Sequence, residues 1–224
     1  MRTCILIPTY QGERSLPELF DKMPESISAE DILVIDDGSK DRTSEVCSDC
    51  GIKVIRHENN RGKGAALKTG FAYTLENNYD AVVTIDADLQ HPPELIPGFI
   101  SELESGADVV VGNRVRDITM PIERRLSNFL SSFWISVLAG RKFPDSQCGF
   151  RAVKRWIIEQ AHLHFNRYQT ESELLVESAR IGAKISFISI PTIYNGDRSY
   201  FNPITDTARF IAFVLMYYPT RKCK

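Results

Sequence analysis

The chain has 224 residues, 43% of them hydrophobic and 25% charged, which is enough apolar material for one sizeable core. A formal net charge of −2 and a pI near 6.1 exclude an overall electrostatic case for nucleic acid, so any anion must be held by local groups. Five cysteines, an odd number spread along the chain, are not the dense, even framework of a secreted disulfide scaffold and fit a reducing cytoplasm. Met1-Arg2 runs straight into a short apolar stretch with neither the long apolar core nor the small-residue cleavage site of a secretory signal.

From Met1 to about Gly112, short β-rich runs alternate with helical ones. Thr3 to Pro8, Ile32 to Asp36, Lys53 to Arg56, Ala81 to Asp86 and Asp108 to Val111 are the expected strands, and their spacing predicts a mostly parallel sheet with helices on both faces. Between them, Lys63 to Leu75 places Ala65, Ala66, Leu67, Phe71 and Leu75 largely on helical spacing. Pro92-Pro93 opens a helix over Glu94 to Leu103, where proline is best tolerated.

Two of these strands end in acid. Val82 to Ile85 gives way to Asp86-Ala87-Asp88-Leu89-Gln90-His91, and Ile32 to Ile35 to Asp36-Asp37-Gly38-Ser39. Buried strands are apolar and ligands bind at their carboxyl ends. Two carboxylates one residue apart, followed by a carboxamide, therefore suit a hard divalent cation, Mg²⁺ or Mn²⁺, that keeps positions open for substrate phosphates. For the Asp86/Asp88 pair by itself, a solvated acidic turn is the plain alternative; the second acidic strand end beside it makes a polar crevice. Cys47-x-x-Cys50 lacks the second pair of a zinc site, and His57, His91, His162 and His164 have no metal-ligand spacing.

Known phosphate loops are absent. The first strand is followed by Pro8-Thr9-Tyr10-Gln11-Gly12-Glu13 in place of Gly-x-Gly-x-x-Gly, and Gly62-Lys63-Gly64 lacks the Walker spacing. Asn60-Arg61-Gly62-Lys63-Gly64 before a helix still offers backbone donors, a positive helix end and two cations suited to a diphosphate.

After Gly112 the pattern changes to Glu123-Arg124-Arg125, an apolar-rich stretch from Leu126 to Leu138, and Asp145 to Arg151. Leu126, Phe129, Leu130, Phe133, Trp134, Val137 and Leu138 share one helix face, and Ser127, Asn128, Ser131, Ser132 and Ser136 fill much of the other. A core helix is the ordinary expectation; an interfacial or lipid-facing helix is the sharper one. Phe210 to Tyr218 is also apolar but far short of the roughly 20 residues of a spanning helix.

Pro8-Thr9-Tyr10, Asp36 to Asp41, Asn60-x-Gly62-Lys63-Gly64-Ala65, Asp86 to Pro93 and Cys148-Gly149-Phe150-Arg151, in this order, resemble family 2 glycosyltransferases, closest to the polyprenyl-phosphate (dolichol-phosphate) mannosyl- and glucosyltransferases. The resemblance covers nearly the whole chain. It implies an α/β GT-A fold, a Rossmann-like, mostly parallel central sheet flanked by helices, with C-terminal acceptor-binding elements. One domain is expected over 1–224, with a nucleotide-sugar half at 1–112 and, at 113–224, an acceptor half ending in the apolar C-terminal helix.

Residue by residue, the resemblance implies that Pro8, Thr9, Tyr10 and Glu13 line the nucleoside pocket with Asp36, Asp37 and Lys63, Asp37 reading the base or ribose. Asp88 and Gln90 are the preferred metal ligands, with Asp86 beside them facing the ribose or donor sugar. Gly112-Asn113-Arg114 and Arg124 with Ser127 resemble phosphate-binding elements for the acceptor, Arg125 competes with Arg124, and Arg151 is a further acceptor contact. Asp86, Asp88, Arg114 and Arg124 are the expected catalytic set. One departure is Tyr10-Gln11-Gly12-Glu13, one residue longer than the usual Pro-x-Tyr-Asn-Glu.

The expected reaction is inverting transfer of a hexose from a GDP-mannose- or UDP-glucose-type donor to a polyprenyl phosphate, in the cytoplasm or peripherally at the inner face of the cell membrane, with a membrane surface or membrane-protein partner. A phosphate acceptor needs no general base; a glycan hydroxyl, the rival acceptor in cell-surface polysaccharide synthesis, needs one, with Glu171 and Glu173 as candidates. A solvated helix start is the ordinary expectation for both glutamates. A catalytically silent nucleotide-sugar-binding partner is the non-enzymatic rival. A nucleotidyltransferase lacks its usual Gly-rich, arginine-bearing N-terminal loop. Aromatic and basic residues are too dispersed for a nucleic-acid platform.

Overall fold

The structure is a computed structural model that describes residues 1–114, 122–191, 193 and 203–218, with the backbone alone at 122–126, 203, 204 and 206. Its strands are β1 (Thr3–Thr9), β2 (Ile32–Asp36), β3 (Lys53–Arg56), β4 (Ala81–Thr84), β5 (Val109–Arg114), β6 (Arg151–Lys154) and β7 (Ile185–Ile190). The α-helices are α1 (Leu16–Asp21), α2 (Thr43–Asp49), α3 (Lys63–Glu76), α4 (Ile96–Glu104), α5 (Ile122–Ala139), α6 (Arg155–Gln160), α7 (Gln169–Arg180) and α8 (Pro203–Tyr217). The five expected strands and the two helices expected between them are present within a few residues of their expected bounds, Pro93–Leu95 forming a 3₁₀ turn ahead of α4.

The sheet runs β3-β2-β1-β4-β6-β5-β7. Its strands are parallel except β6, which is antiparallel to both β4 and β5. Sequence patterning leaves β6 and β7 unseen; β6 is four residues long, and between Arg151 and Lys154 only Ala152 and Val153 carry an apolar signal. They come from the second half of the chain and pair with strands of the first.

Period-2 alternation explains how the sheet is covered. Cys4 and Leu6 of β1 join a core with Leu67 and Phe71 of α3, Ile135 of α5, Leu175 of α7 and Phe213 of α8. Ile5 and Ile7 point the other way, into a core with Leu16 and Leu19 of α1 and Ile96 and Phe99 of α4. Each such fully buried side chain contributes about 1.5–3 kcal/mol.

Strand order also locates the crevice. β1 lies between β2 and β4, so successive connections leave it in opposite directions, and a ligand crevice opens at such a switch point beyond the carboxyl ends. Thr9 pairs in register with Asp36, and the Ile85 amide donates to the Leu6 carbonyl, which sets Asp86 just beyond the same end of the sheet.

One expectation is reversed. In α5 the serine side faces inward: Ser131 and Ser132 are buried with Ile135 and Leu138, while Phe129, Leu130, Phe133 and Trp134 are exposed, Phe129 by 53% and Phe133 by 51%. Ser132 Oγ lies 3.3 Å from Ser146 Oγ and accepts the Ser146 amide, and Ser136 Oγ accepts the Phe143 amide. Hydrogen bonds to the 143–146 loop thus hold the polar face inside, and the core-helix expectation survives for Leu138 but not for the four exposed side chains.

Candidate active site

The centre of the site is an ion-pair cluster. Lys63, the first residue of α3, places Nζ 2.5 Å from Asp86 Oδ1 and 3.1 Å from Glu171 Oε1 at the start of α7. Burial disfavours the ammonium, yet the two carboxylates outweigh it and raise the Lys63 pKa. Burial likewise opposes ionisation of Asp86, but Lys63 holds its carboxyl below the usual range. The result is a fixed cation at a helix N-terminus, where backbone donors and the helix dipole also favour an anion.

Asp88 and Gln90 share a tight turn. The Gln90 amide donates to Asp88 Oδ1 at 3.0 Å, and Leu89 between them has φ +59°, a left-handed conformation that costs a bulky residue roughly 1–2 kcal/mol. Strain of this kind clusters where side chains must be aimed. His91 follows, 4% exposed and stacked on Phe150 at 5.8 Å. Its Nε2 is 3.8 Å from Asp86 Oδ2, and Nδ1 is buried without a hydrogen-bond partner. Burial lowers its pKa to about 4 against the pull of Asp86, so the ring is neutral at pH 7.

Gly149 is where β6 approaches this cluster. A Cβ there would run into Asp86 Oδ2 and come within 2.9 Å of Lys63 Nζ. Both obstacles are the ends of flexible side chains, so Gly149→Ala should leave the thermal midpoint within a few degrees of wild type while splitting the Lys63–Asp86 pair. We expect nucleoside diphosphate affinity, measured by calorimetry, to fall about tenfold, a loss of roughly 1.4 kcal/mol. Unchanged affinity would show that the pair plays no part in binding.

The remaining expected residues fall into three groups. Pro8 and Thr9 are buried at the end of β1, with Tyr10 half-buried beside them. The added residue is absorbed by Gln11 at φ +58°, its amide on Ser39 Oγ, and by the Gly12 amide on Thr43 Oγ1. Glu13 accepts the Arg42 amide at 3.2 Å. Asp36 is fully buried and accepts the Ser39 amide and the Ser44 hydroxyl, which makes it a support of the 36–44 turn. Asp37 is 3% exposed and accepts three hydrogen bonds from the protein.

Arg114, at the end of β5, forms a bidentate pair with Asp145, Nε to Oδ2 at 2.6 Å and Nη2 to Oδ1 at 3.0 Å. Burial opposes the Asp145 charge, and Arg114 lowers its pKa nonetheless. Ser127 is exposed on α5, and Arg124 lies on its first turn with its side chain outside the described residues.

Arg151 is engaged by the protein itself. It is 1% exposed, and its guanidinium donates to the carbonyls of Cys148 at 2.8 Å, Ser146 at 2.9 Å and Glu171. The residue staples the 146–149 loop to α7, and an acceptor phosphate would reach it only by unfastening that loop. The two glutamates also separate. Glu173 is wholly buried and accepts the amides of His164 and Phe165 and the Tyr217 hydroxyl, whereas Glu171 faces Lys63. The pairing of Asp145 with Arg114 and of Asp37 with His57 carries no short sequence signal, since these partners are distant in the chain.

Among the described residues, no three or more His, Cys, Asp or Glu side chains converge as a metal cage, and no helix is long and apolar enough to cross a membrane. Residues 4–161 match the model of Glycosyl transferase family 2. The chain is 28% identical over 202 residues to the undecaprenyl-phosphate mannosyltransferase of Micrococcus luteus, covering 85% of this chain and 83% of that protein. It is 31% identical over 189 residues to the dolichol-phosphate mannosyltransferase of Pyrococcus furiosus, covering 79% of this chain and 53% of that protein. The glucosyl-3-phosphoglycerate synthase of Mycobacterium tuberculosis, crystallised with Mn²⁺, uridine diphosphate and glucosyl-3-phosphoglycerate, superposes with a TM-score of 0.75 at 20% identity, over 98% of this chain and 79% of that one, which shows a shared GT-A fold. With two carboxylates and a lysine gathered at the strand ends of that fold, the chain belongs to glycosyltransferase family 2 and is a glycosyltransferase.

Proposed function

We propose that the protein moves a hexose, with inversion, from a nucleoside diphosphate sugar to a polyprenyl phosphate. The observation that carries the reading is the meeting of Lys63, Asp86 and the Asp88–Gln90 turn at one end of the sheet. The Micrococcus and Pyrococcus relatives are named for undecaprenyl and dolichol phosphates, and the mycobacterial neighbour was crystallised with Mn²⁺ and uridine diphosphate.

The donor atoms fit a hard cation. Asp88 and Gln90 offer oxygens from one turn, and Mg²⁺ or Mn²⁺ typically takes one or two carboxylates and completes its shell with water and substrate phosphates, so a cage of three protein acids is not required. In this reading Asp88 and Gln90 are the ligands, and Asp86, which pairs with Lys63, holds the lysine and faces the sugar. When bound, the cation supplies Lewis-acid neutralisation of the leaving diphosphate. Lys63 adds a charge already in place, which needs no reorganisation as negative charge grows on the leaving oxygen. Pro8, Thr9, Tyr10 and Glu13 flank the nucleoside side of the crevice, and Arg114, Arg124 and Ser127 the acceptor side.

A phosphate acceptor is anionic at neutral pH and attacks without a base. The second reading, a glycan hydroxyl acceptor, is favoured by one observation: Glu171 is a carboxylate within the cluster. Glu173 is spent on its own hydrogen bonds and does not compete for that role. The apolar side chains exposed on α5 and α8, two helices in contact with one another, support peripheral work at the cytoplasmic face of a membrane, where polyprenyl phosphates reside.

The test is transfer from GDP-mannose and UDP-glucose, with Mg²⁺ or Mn²⁺, to polyprenyl phosphate or to soluble sugars. Transfer to the lipid that persists in Glu171→Gln supports the phosphate acceptor. Transfer to sugars alone, lost in Glu171→Gln, supports the hydroxyl acceptor. Metal-dependent binding of nucleotide sugar with no transfer to either leaves the silent partner.

A further inference from the structure

Behind the strand ends lies a buried chain of hydrogen bonds that the proposed transfer does not consume. His57, just after β3, is 6% exposed, with Nδ1 2.7 Å from Asp37 Oδ1 and Nε2 2.9 Å from Thr69 Oγ1. Asp37 Oδ1 also accepts the Arg61 amide at 2.9 Å, and Oδ2 accepts the Gly62 amide at 2.7 Å. A carboxylate oxygen facing a ring nitrogen accepts, so Nδ1 of His57 carries the proton in this bond and Nε2 is left to the Thr69 hydroxyl.

These bonds converge on one helix. Arg61 and Gly62 lead into α3, Lys63 is its first residue and Thr69 lies nearly two turns further along it. The pair His57–Asp37 therefore grips α3 at its entry and on its flank, and ties both places to the end of β2. The entry has little freedom of its own: Gly62 has φ +98°, and a Cβ there would meet the Asn166 carbonyl at 2.7 Å. A carboxylate bound to two backbone amides also spends them, so its contribution to an anion site lies in where it puts the next residue.

We propose that His57 is a positioning residue for the donor. By holding Asp37 in the rotamer that receives the Arg61 and Gly62 amides, it sets α3 so that Lys63 stands on Asp86 and, in the donor complex, against the diphosphate. Asp37, expected from sequence to read the base or ribose, acts through the loop. This inference rests on the proposed function, because Lys63 must meet a diphosphate for its placement to matter.

The two nitrogens of His57 can be replaced separately. His57→Asn keeps a donor where Nδ1 faces Asp37, and His57→Gln puts its amide where Nε2 faces Thr69. Binding of GDP and UDP with Mg²⁺, thermal midpoints, and amide hydrogen exchange at Arg61 and Gly62 are compared in the full chain. We expect His57→Asn to stay within threefold of wild type in affinity and to keep both amides protected. His57→Gln should lose tenfold or more in affinity and expose the two amides, at a thermal midpoint equal to that of the Asn variant. Equal affinity and equal exchange in the two variants would overturn the proposal. Wild-type protein that binds neither nucleotide would instead overturn the proposed function and with it the positioning role of His57, while exchange at the two amides would still report whether the grip exists.

Discussion

Asp88→Ala is expected to lower the turnover number for sugar transfer by about 10²–10³-fold at saturating donor, the loss typical of removing one preorganised group that stabilises transition-state charge. The cost falls on turnover because the ligand acts where charge develops on the leaving diphosphate. The fold should survive: Asp88 is half-buried and stands outside both apolar cores, in the turn beyond β4. Far-ultraviolet circular dichroism and the thermal midpoint should match wild type within a few degrees. Gln90→Ala should lose less, since a neutral carboxamide contributes less to a cation than a carboxylate does. Asp86→Ala should behave differently, because it leaves Lys63 with Glu171 alone and so raises the donor KM as well. Full turnover by Asp88→Ala in Mg²⁺ or Mn²⁺ would remove the metal from this turn.

The first half of the chain is legible because its signals are local. An apolar run ending in Asp36-Asp37 or in Asp86-Ala87-Asp88 announces both a buried strand and its ligand-facing end, and β2 keeps its expected bounds while β4 stops two residues short. Lys63 is legible for the same reason, as a cation beside glycines at a helix start. The second half is harder because its determinants are contacts between distant residues. The charges at both ends of β6 hide a strand that sits between β4 and β5. Arg151 resembles a ligand-binding arginine in sequence, and only folding brings the carbonyls of Ser146, Cys148 and Glu171 around its guanidinium.

The acidic residues make the same point. Sequence spacing puts Asp36 and Asp37 side by side at a crevice, yet Asp36 turns to Ser39 and Ser44, and Asp37 to His57 and the 61–62 backbone. Burying a carboxylate is tolerable only when its lone pairs are satisfied. Which acid is satisfied by protein and which is left for a ligand depends on tertiary partners. Glu171 and Glu173 divide in this way across two residues of one helix, where neighbours two apart face different directions.

The second large effect concerns the membrane. Changing Phe129, Phe133, Ile211 and Leu215 together to serine is expected to abolish flotation with liposomes while leaving donor binding intact. These side chains are 51–67% exposed, so the fold gains little from them. Sinking their exposed parts into lipid gains on the order of 1 kcal/mol each. With Leu130, Trp134 and Met216, also exposed, the total resembles one acyl chain, which gives reversible binding that needs a second signal. Arg221, Lys222 and Lys224 supply that signal in sequence, although they lie outside the described residues. Binding should therefore be tighter on vesicles containing anionic lipid and weaken as salt rises, each basic residue near the surface contributing about 1 kcal/mol. Transfer to polyprenyl phosphate in vesicles should fall with flotation in the four-serine variant, and transfer to a detergent-dispersed acceptor should not. Wild-type protein that ignores vesicles of every composition, yet uses the vesicle-borne acceptor at full rate, would rule out these helices as the route to the lipid.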